Sequence, residues 1–295
     1  MANFDLYQTI TDRIISELEN GIIPWHKPWV GGTNCAISHE TGRAYSMLNQ
    51  ILLGKPGEYI TFTQCKKEGG KVKKGAKAKM IVFWKMLCVD KKNAAGETIF
   101  DADGKVMTDT VPVLKYFNVF HISDCEGIEP KHSGKLPAAP ADPVEDAEKS
   151  FQDYLTRSGV CFESSVQDRA FYSPSADLIS CPAIEQFSSS AEYYSTIFHE
   201  ATHSTGHKSR LNRFPENAAA AAFGSESYSK EELVAELGAA AILNNLGIET
   251  ASSFRNSAAY IQSWLRALKN DKRLIVSASA RAEKAVRLIL NLQEA

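Results

Sequence analysis

The chain has 295 residues, 44% of them hydrophobic and 23% charged, with a formal net charge of −2. That composition suits a soluble globular protein with one large core or two ordinary ones, and it creates no whole-molecule field that would draw the chain onto nucleic acid or a membrane. No stretch approaches the roughly 20 apolar residues of a membrane helix, and the opening segment carries acids and has no apolar signal core. The six cysteines show no CxxC spacing, so they read as free thiols of a reducing cytoplasm, not as a disulfide framework.

In chain order, Leu6, Ile10, Ile14 and Ile15 recur at helical spacing, Leu18 and Ile22 extend the stripe, and Asn20-Gly21 supplies a stop. Pro24 and Pro28 then bracket Trp25 and Trp29 in an irregular loop. Strand character follows at Tyr59–Phe62, Lys79–Trp84 and Leu114–His121, with Trp84 read as a core residue and residues 94–109 as an exposed loop or hairpin. Between Glu129 and Glu148 the composition becomes rich in Pro and Ala without apolar periodicity, as linkers do. A helix is expected over about Pro143–Ser158, extended pieces at Phe171-Tyr172 and Leu178–Cys181, and helices from Phe187 almost to the end. The expected fold is α+β in two domains. A mixed N-terminal domain covers 1–130, a linker 131–147, and a mostly helical C-terminal domain with a small sheet 148–295.

The chemistry is carried by His199-Glu200-Ala201-Thr202-His203. Two histidines four residues apart aim at one point only on a helix, where a zinc ion can take both imidazoles and the intervening glutamate can act as general base. The context favours that helix: Ser189 with Glu192 forms a capping-box pattern, Tyr194, Ile197, Phe198 and Ala201 supply an apolar face, and Gly206 offers a left-handed terminator. HExxH alone occurs by chance, and a catalytic zinc needs a third protein ligand. Tyr228–Glu236 provides candidates, because Glu232 and Glu236 are four apart on one helix face. The pattern is that of gluzincins, with Glu232 on the metal and Glu236 orienting a ligand histidine from behind. Glu236 as the third ligand and Glu232 as a helix cap paired with Ser229 remain open alternatives. Ser209 stands where a metzincin would carry a third histidine, and His207 reads as a surface or capping residue, with a role toward substrate or behind a metal ligand as the alternative. Asp177–Pro182 reads as a strand ended by proline, either an open edge of the kind that pairs with extended substrate in zincins or an ordinary edge strand.

The blocks PWHKPW, GRAYSMLNQILL and YITFTQCKKEGGKVKKG, followed by YSPSADLISCP, YYSTIFHEATHSTGHKSRLNR and YSKEELVAELGAA, resemble the ArdC-type antirestriction proteins of conjugative plasmids in the family's order and over nearly the whole length. The resemblance implies an N-terminal single-stranded DNA-binding domain, a C-terminal zincin-like metallopeptidase domain, and a role in protecting incoming plasmid DNA from host restriction. It further implies His199, His203 and Glu232 as metal ligands and Glu200 as catalytic base, with zinc, or another divalent ion such as manganese, as cofactor.

Single-strand binders combine cationic grooves with aromatic faces. Lys66, Lys67, Lys71, Lys73, Lys74, Lys77 and Lys79 form a basic cluster opposed only by Glu68. Lys71, Lys73 and Lys74 are therefore candidate phosphate contacts, Trp25, Trp29, Tyr45 and Tyr59 candidate stacking residues, and Arg43 and Asn49 candidate polar contacts. Two functions compete. One is a zinc peptidase brought by DNA to a protein target such as a host restriction enzyme. The other is a non-proteolytic DNA-binding shield whose metal site is structural or regulatory. A metal-dependent nuclease ranks below both, because many nucleases use two-metal carboxylate sites.

Overall fold

A computed structural model describes residues 4–26, 35–132, 142–214, 226–248 and 257–293. Helix α1 (Leu6–Glu19) starts where the Asp5 side chain accepts from the Gln8 amide, and it stops at Asn20 ahead of Gly21, whose φ is 74°. A short turn over Pro24–His26 follows. Strand β1 (Ala36–Ser38), helix α2 (Met47–Leu53), strand β2 (Gly57–Thr61) and helix α3 (Phe62–Lys67) come next. The strand expected to include Phe62 ends one residue earlier because Thr61 and Gln64 form a reciprocal capping box, which starts α3. Strands β3 (Lys71–Val72) and β6 (Cys125–Glu126) pair with each other. Strands β4 (Lys79–Asp90) and β5 (Thr108–His121) make a long hairpin, and the larger sheet runs β1-β2-β5-β4.

β2 pairs only with Val119–His121 of β5, so the rest of the hairpin leaves the sheet as a two-stranded ribbon. That explains a difference from expectation. Trp84 is 49% exposed and not part of the core, since the ribbon outruns the layers that cover its base. Near that base the free edge of β4 is blocked: Asn49 donates to the carbonyl of Val82 and accepts from its amide, both at 2.8 Å.

In the C-terminal half, α4 (Pro143–Ser158) is capped by Asp142, and strands β7 (Cys161–Ser165), β8 (Phe171–Ser173) and β9 (Leu178–Pro182) form a sheet of order β7-β9-β8. β9 is therefore the central strand and not the expected open edge; β7, which has no clear period in the sequence, occupies one of its sides. Helices α5 (Ser190–Ser204), α6 (Glu226–Asn245), α7 (Ser257–Asn270) and α8 (Leu274–Ile289) complete the fold. α5 and α6 pack at close range because position 238 is glycine: a Cβ there would stand 2.6 Å from Thr202 Cγ2.

One hydrophobic core runs through both halves, from Ile10, Ile14 and Trp25 through Leu48 and Ile51 to Phe198, Leu237, Trp264 and Ile275. α1 packs on α7, and the Thr11 hydroxyl donates to the Lys272 carbonyl at 2.8 Å. The expected linker overlaps ordered structure at both ends. The amides of Lys131 and His132 donate to Glu58, and α4 already begins at Pro143. All six cysteines carry free thiols, and no helix among the described residues is long and apolar enough to cross a membrane.

Candidate functional site

α5 presents His199, Glu200 and His203 to α6. Ser189 caps α5 by accepting from the Glu192 amide, while Glu192 bonds back to Ser188, so the expected capping box is only half formed. The helix ends at Thr205 in right-handed geometry, and Gly206 does not serve as a left-handed terminator. Its smallness answers a different need, since a Cβ there would sit 2.7 Å from the Phe214 ring. Ser229 lies inside α6, which already runs from Glu226, so Glu232 is not in the first turn and the capping alternative falls away.

The Nε2 atoms of His199 and His203 are 3.2 Å apart, and Glu232 brings its carboxylate oxygens to 3.5 Å and 3.2 Å from them. Two ligands held at zinc–nitrogen distances around one tetrahedral ion stand about 3.3 Å apart, so this triangle has the edge length a divalent cation requires. These three residues also form the one such cluster found among the described residues, with ligand atoms within 4.8 Å of one another. Glu232, not Glu236, faces the Nε2 atoms.

Each imidazole has a carboxylate behind it. Glu236 stands 3.7 Å from His199 Nδ1, and Glu231 stands 3.7 Å from His203 Nδ1. Both carboxylates are held in turn. Glu236 accepts from His26 Nε2 at 2.8 Å, across the two halves of the chain, and Glu231 pairs with Arg213, which also donates to the Thr202 carbonyl and the Thr205 hydroxyl. Arg210 ties the loop after α5 to Asp177 of the β8–β9 turn and to the Ser204 carbonyl. Glu231, His26, Arg210 and Arg213 had no role in the sequence reading. The run Glu231-Glu232 was visible, but only the fold shows that adjacent carboxylates serve the two different ring nitrogens of His203.

The electrostatics follow. Burial opposes a charged His199, yet Glu232 and Glu236 outweigh it and hold its pKa well above the ordinary range. Burial likewise opposes a charged His203, but Glu231 and Glu232 raise its pKa to about 9. Burial favours the protonated form of Glu232, and the two imidazoles overcome that and hold its carboxyl well below the ordinary range. Several carboxylates closed around two imidazoles form an anionic pocket that calls for a cation. Glu200 is 9% exposed and lies toward β9, where burial and then the Glu200 charge push the Cys181 thiol up to about 12.

Comparison with known proteins agrees with this geometry. The family of zincin-like metallopeptidases matches residues 149–281, and the N-terminal domain of anti-restriction factor ArdC matches residues 4–120. Crystal structures of antirestriction ArdC from plasmid R388, one bound to Mn(II) and one metal-free, superpose with a TM-score of 0.72 at 36% identity and cover 98% and 99% of this chain and 98% and 100% of theirs. This chain belongs to the ArdC antirestriction family. A DNA primase TraC of Escherichia coli is 34% identical over 98% of the chain, but the chain spans only 20% of that protein's length. One of the R388 ArdC structures holds Mn(II), and in this chain His199, His203 and Glu232 form the group that could hold a divalent ion.

The nucleic-acid candidates of this ArdC-family chain fare unevenly. Trp25 is fully buried and packs edge-on against Trp264 at 5.2 Å, and Tyr59 is buried with its hydroxyl donating to the Lys55 carbonyl. Neither offers a face to a base, and truncating a buried tryptophan costs about 3–5 kcal/mol in stability. Asn49 is spent on the β4 edge. Tyr45 is half-buried and edge-on to Tyr59, whereas Arg43, Lys71, Lys73 and Lys74 are exposed, with Lys73 donating to the Ser123 carbonyl at 2.8 Å. Trp29 lies outside the described residues.

Proposed function

We propose that this chain is a divalent-metal peptidase of the HExxH type joined to a single-stranded DNA-binding half, and that it protects incoming DNA from host restriction by acting on a protein such as the restriction enzyme. The convergence of His199, His203 and Glu232 beside Glu200 carries this reading. His199, His203 and Glu232 would hold a zinc or manganese ion, which would supply Lewis-acid polarisation of a peptide carbonyl. Glu200, next to a ligand on the same helix, takes the proton of the attacking water and returns it to the departing amine. Glu231 and Glu236 keep the two imidazoles turned so that their Nε2 atoms point to the ligand position. The N-terminal half contributes exposed lysines for phosphate, and DNA binding brings the centre to its target.

The deciding variant is Glu200→Ala. It leaves every ligand in place and removes the base, so metal content is unchanged while metal-dependent proteolysis falls about 10²- to 10⁴-fold. Protection of DNA entering a restricting cell is expected to fall with it. Full protection by the Glu200→Ala protein would establish the shield reading, in which DNA binding alone protects.

A further inference from the structure

We propose that the outward face of the β4–β5 ribbon is a stacking platform for single-stranded nucleic acid; this rests on the DNA-binding reading above and locates it on residues other than the Lys71–Lys74 cluster.

The register divides the ribbon into two unlike faces, because directly paired residues share a face and alternate residues change it. Lys79 opposite Val119, Ile81 opposite Phe117, Phe83 opposite Lys115 and Lys85 opposite Val113 lie on one face. Met80, Val82, Trp84 and Met86 lie on the other, with Leu114 and Tyr116. The second face turns to the body of the protein at its base. Val82 belongs to the main core, Met80 and Leu114 pack against it, and Phe4 meets Tyr116 at 5.3 Å. The first face stays open beyond Ile81, and it carries all three lysines of the stem.

On that open face Phe83 and Phe117 stack at 4.9 Å with their planes 8° apart, and Phe117 remains 54% exposed. A flat aromatic pair with its outer surface in water invites one more π-face. The exposed side chains of Lys79, Lys85 and Lys115 surround it at the spacing of the strands. No acidic residue occurs in Lys79–Val89 or Thr110–His121. The far end of the ribbon is opposite in character. Asp90, Glu97, Asp101, Asp103 and Asp109 outnumber Lys91, Lys92 and Lys105 there, and Lys91 is paired with Asp109 at 3.6 Å. A polyanion is therefore attracted to the stem and repelled from the tip.

These features select the occupant. Aromatic stacking with interleaved cations is the chemistry that holds unpaired bases and their phosphates without sequence preference. A peptide adding a strand to β4 is disfavoured near the base, since Asn49 already occupies the Val82 amide and carbonyl.

Fluorescence anisotropy with a labelled oligothymidylate of about 16 nucleotides tests the platform on the full chain. Phe117→Leu keeps an apolar side chain but removes the aromatic face, and with Phe83→Leu it is expected to weaken binding about tenfold or more. Phe117→Trp is expected to restore or exceed the native affinity. Lys85→Ala with Lys115→Ala should reduce the salt slope of log K by about 1.4, two phosphates at about 0.7 each on a single strand. Unchanged melting temperature and unchanged zinc content are required of each variant. If the native protein binds the oligonucleotide and both pairs of variants bind it equally well, the platform is wrong while DNA binding stands. If the native protein binds no single strand, both fall. Loss of a dimer in sedimentation with DNA affinity intact would assign the face to a second copy of the chain and overturn the proposal.

Discussion

The His199–His203–Glu232 cluster and the β4–β5 ribbon hold their side chains in opposite ways. Between α5 and α6 each working group has a partner behind it: Glu236 and Glu231 back the two imidazoles, and His26 and Arg213 back the carboxylates. The ribbon holds Phe83, Phe117, Lys79, Lys85 and Lys115 on one face of two strands, with cross-strand pairing and the Phe83–Phe117 stack to orient them. On the proposed peptidase reading, an ion that polarises a carbonyl must be held to tenths of an ångström, which demands cross-bracing. A flexible polyanion of varying sequence needs only a flat face and cations within reach. The contrast is one between pre-organisation and accommodation, and it predicts that lesions in one region leave the other's function intact.

The strongest way to break that separation is to weaken the carboxylates behind the ligands. Glu231→Gln and Glu236→Gln preserve volume but remove the charge that orients and polarises each imidazole. Each is expected to lower zinc affinity about 10- to 100-fold in competition with a chromophoric chelator, while oligothymidylate affinity stays native. A matching loss of DNA affinity in either variant would show that the two regions are energetically one.

Chelation and pH sharpen the same contrast. His203 titrates near 9 in the folded, metal-free protein against about 6.5 in an unfolded chain. Its pairing with Glu231 and Glu232 therefore stabilises fully below about pH 6.5 and is lost as pH rises through 9. His199 shifts in the same direction. The lowered carboxyls of Glu231, Glu232 and Glu236 act with the opposite sign and lose their contribution only in acid. A divalent ion competes with the imidazole protons, so its stabilising effect grows over the range in which the metal-free centre weakens. Melting curves with and without zinc between pH 6.5 and 9 are expected to diverge with rising pH; parallel curves would mean that the imidazoles do not carry protons in the metal-free state.

Much of the centre was legible because it is local. The i, i+4 spacing of His199 and His203 is enforced by any helix, and Glu232 and Glu236 share one face for the same reason. Choosing between Glu232 and Glu236 required the approach of α6 to α5, which Gly238 against Thr202 permits and no spacing announces. The four-stranded order β1-β2-β5-β4, the central place of β9 and the missed helix α2 are likewise long-range outcomes. Residue type misled most in the N-terminal half. Tryptophan and tyrosine near prolines and lysines looked like stacking residues, yet Trp25 and Tyr59 were needed by the core. Trp84, in an apolar strand, looked like core but stands in water, because alternation along a strand does not reveal where the layer covering it ends.

The smallest expected effect lies where the two halves touch. His26 belongs to the N-terminal half, yet its Nε2 donates to Glu236 at 2.8 Å, and Glu236 in turn faces His199. It stands two bonds of influence from the metal, behind a carboxylate that the His199 imidazole also attracts. His26→Ala is therefore expected to weaken zinc binding by only a few-fold, less than Glu236→Gln, with His26→Gln, which can still donate, recovering part of the loss. The double variant His26→Ala with Glu236→Gln should bind zinc no more weakly than Glu236→Gln alone, since His26 acts through that carboxylate. Additive losses in that cycle would mean that His26 reaches the centre by a route other than Glu236.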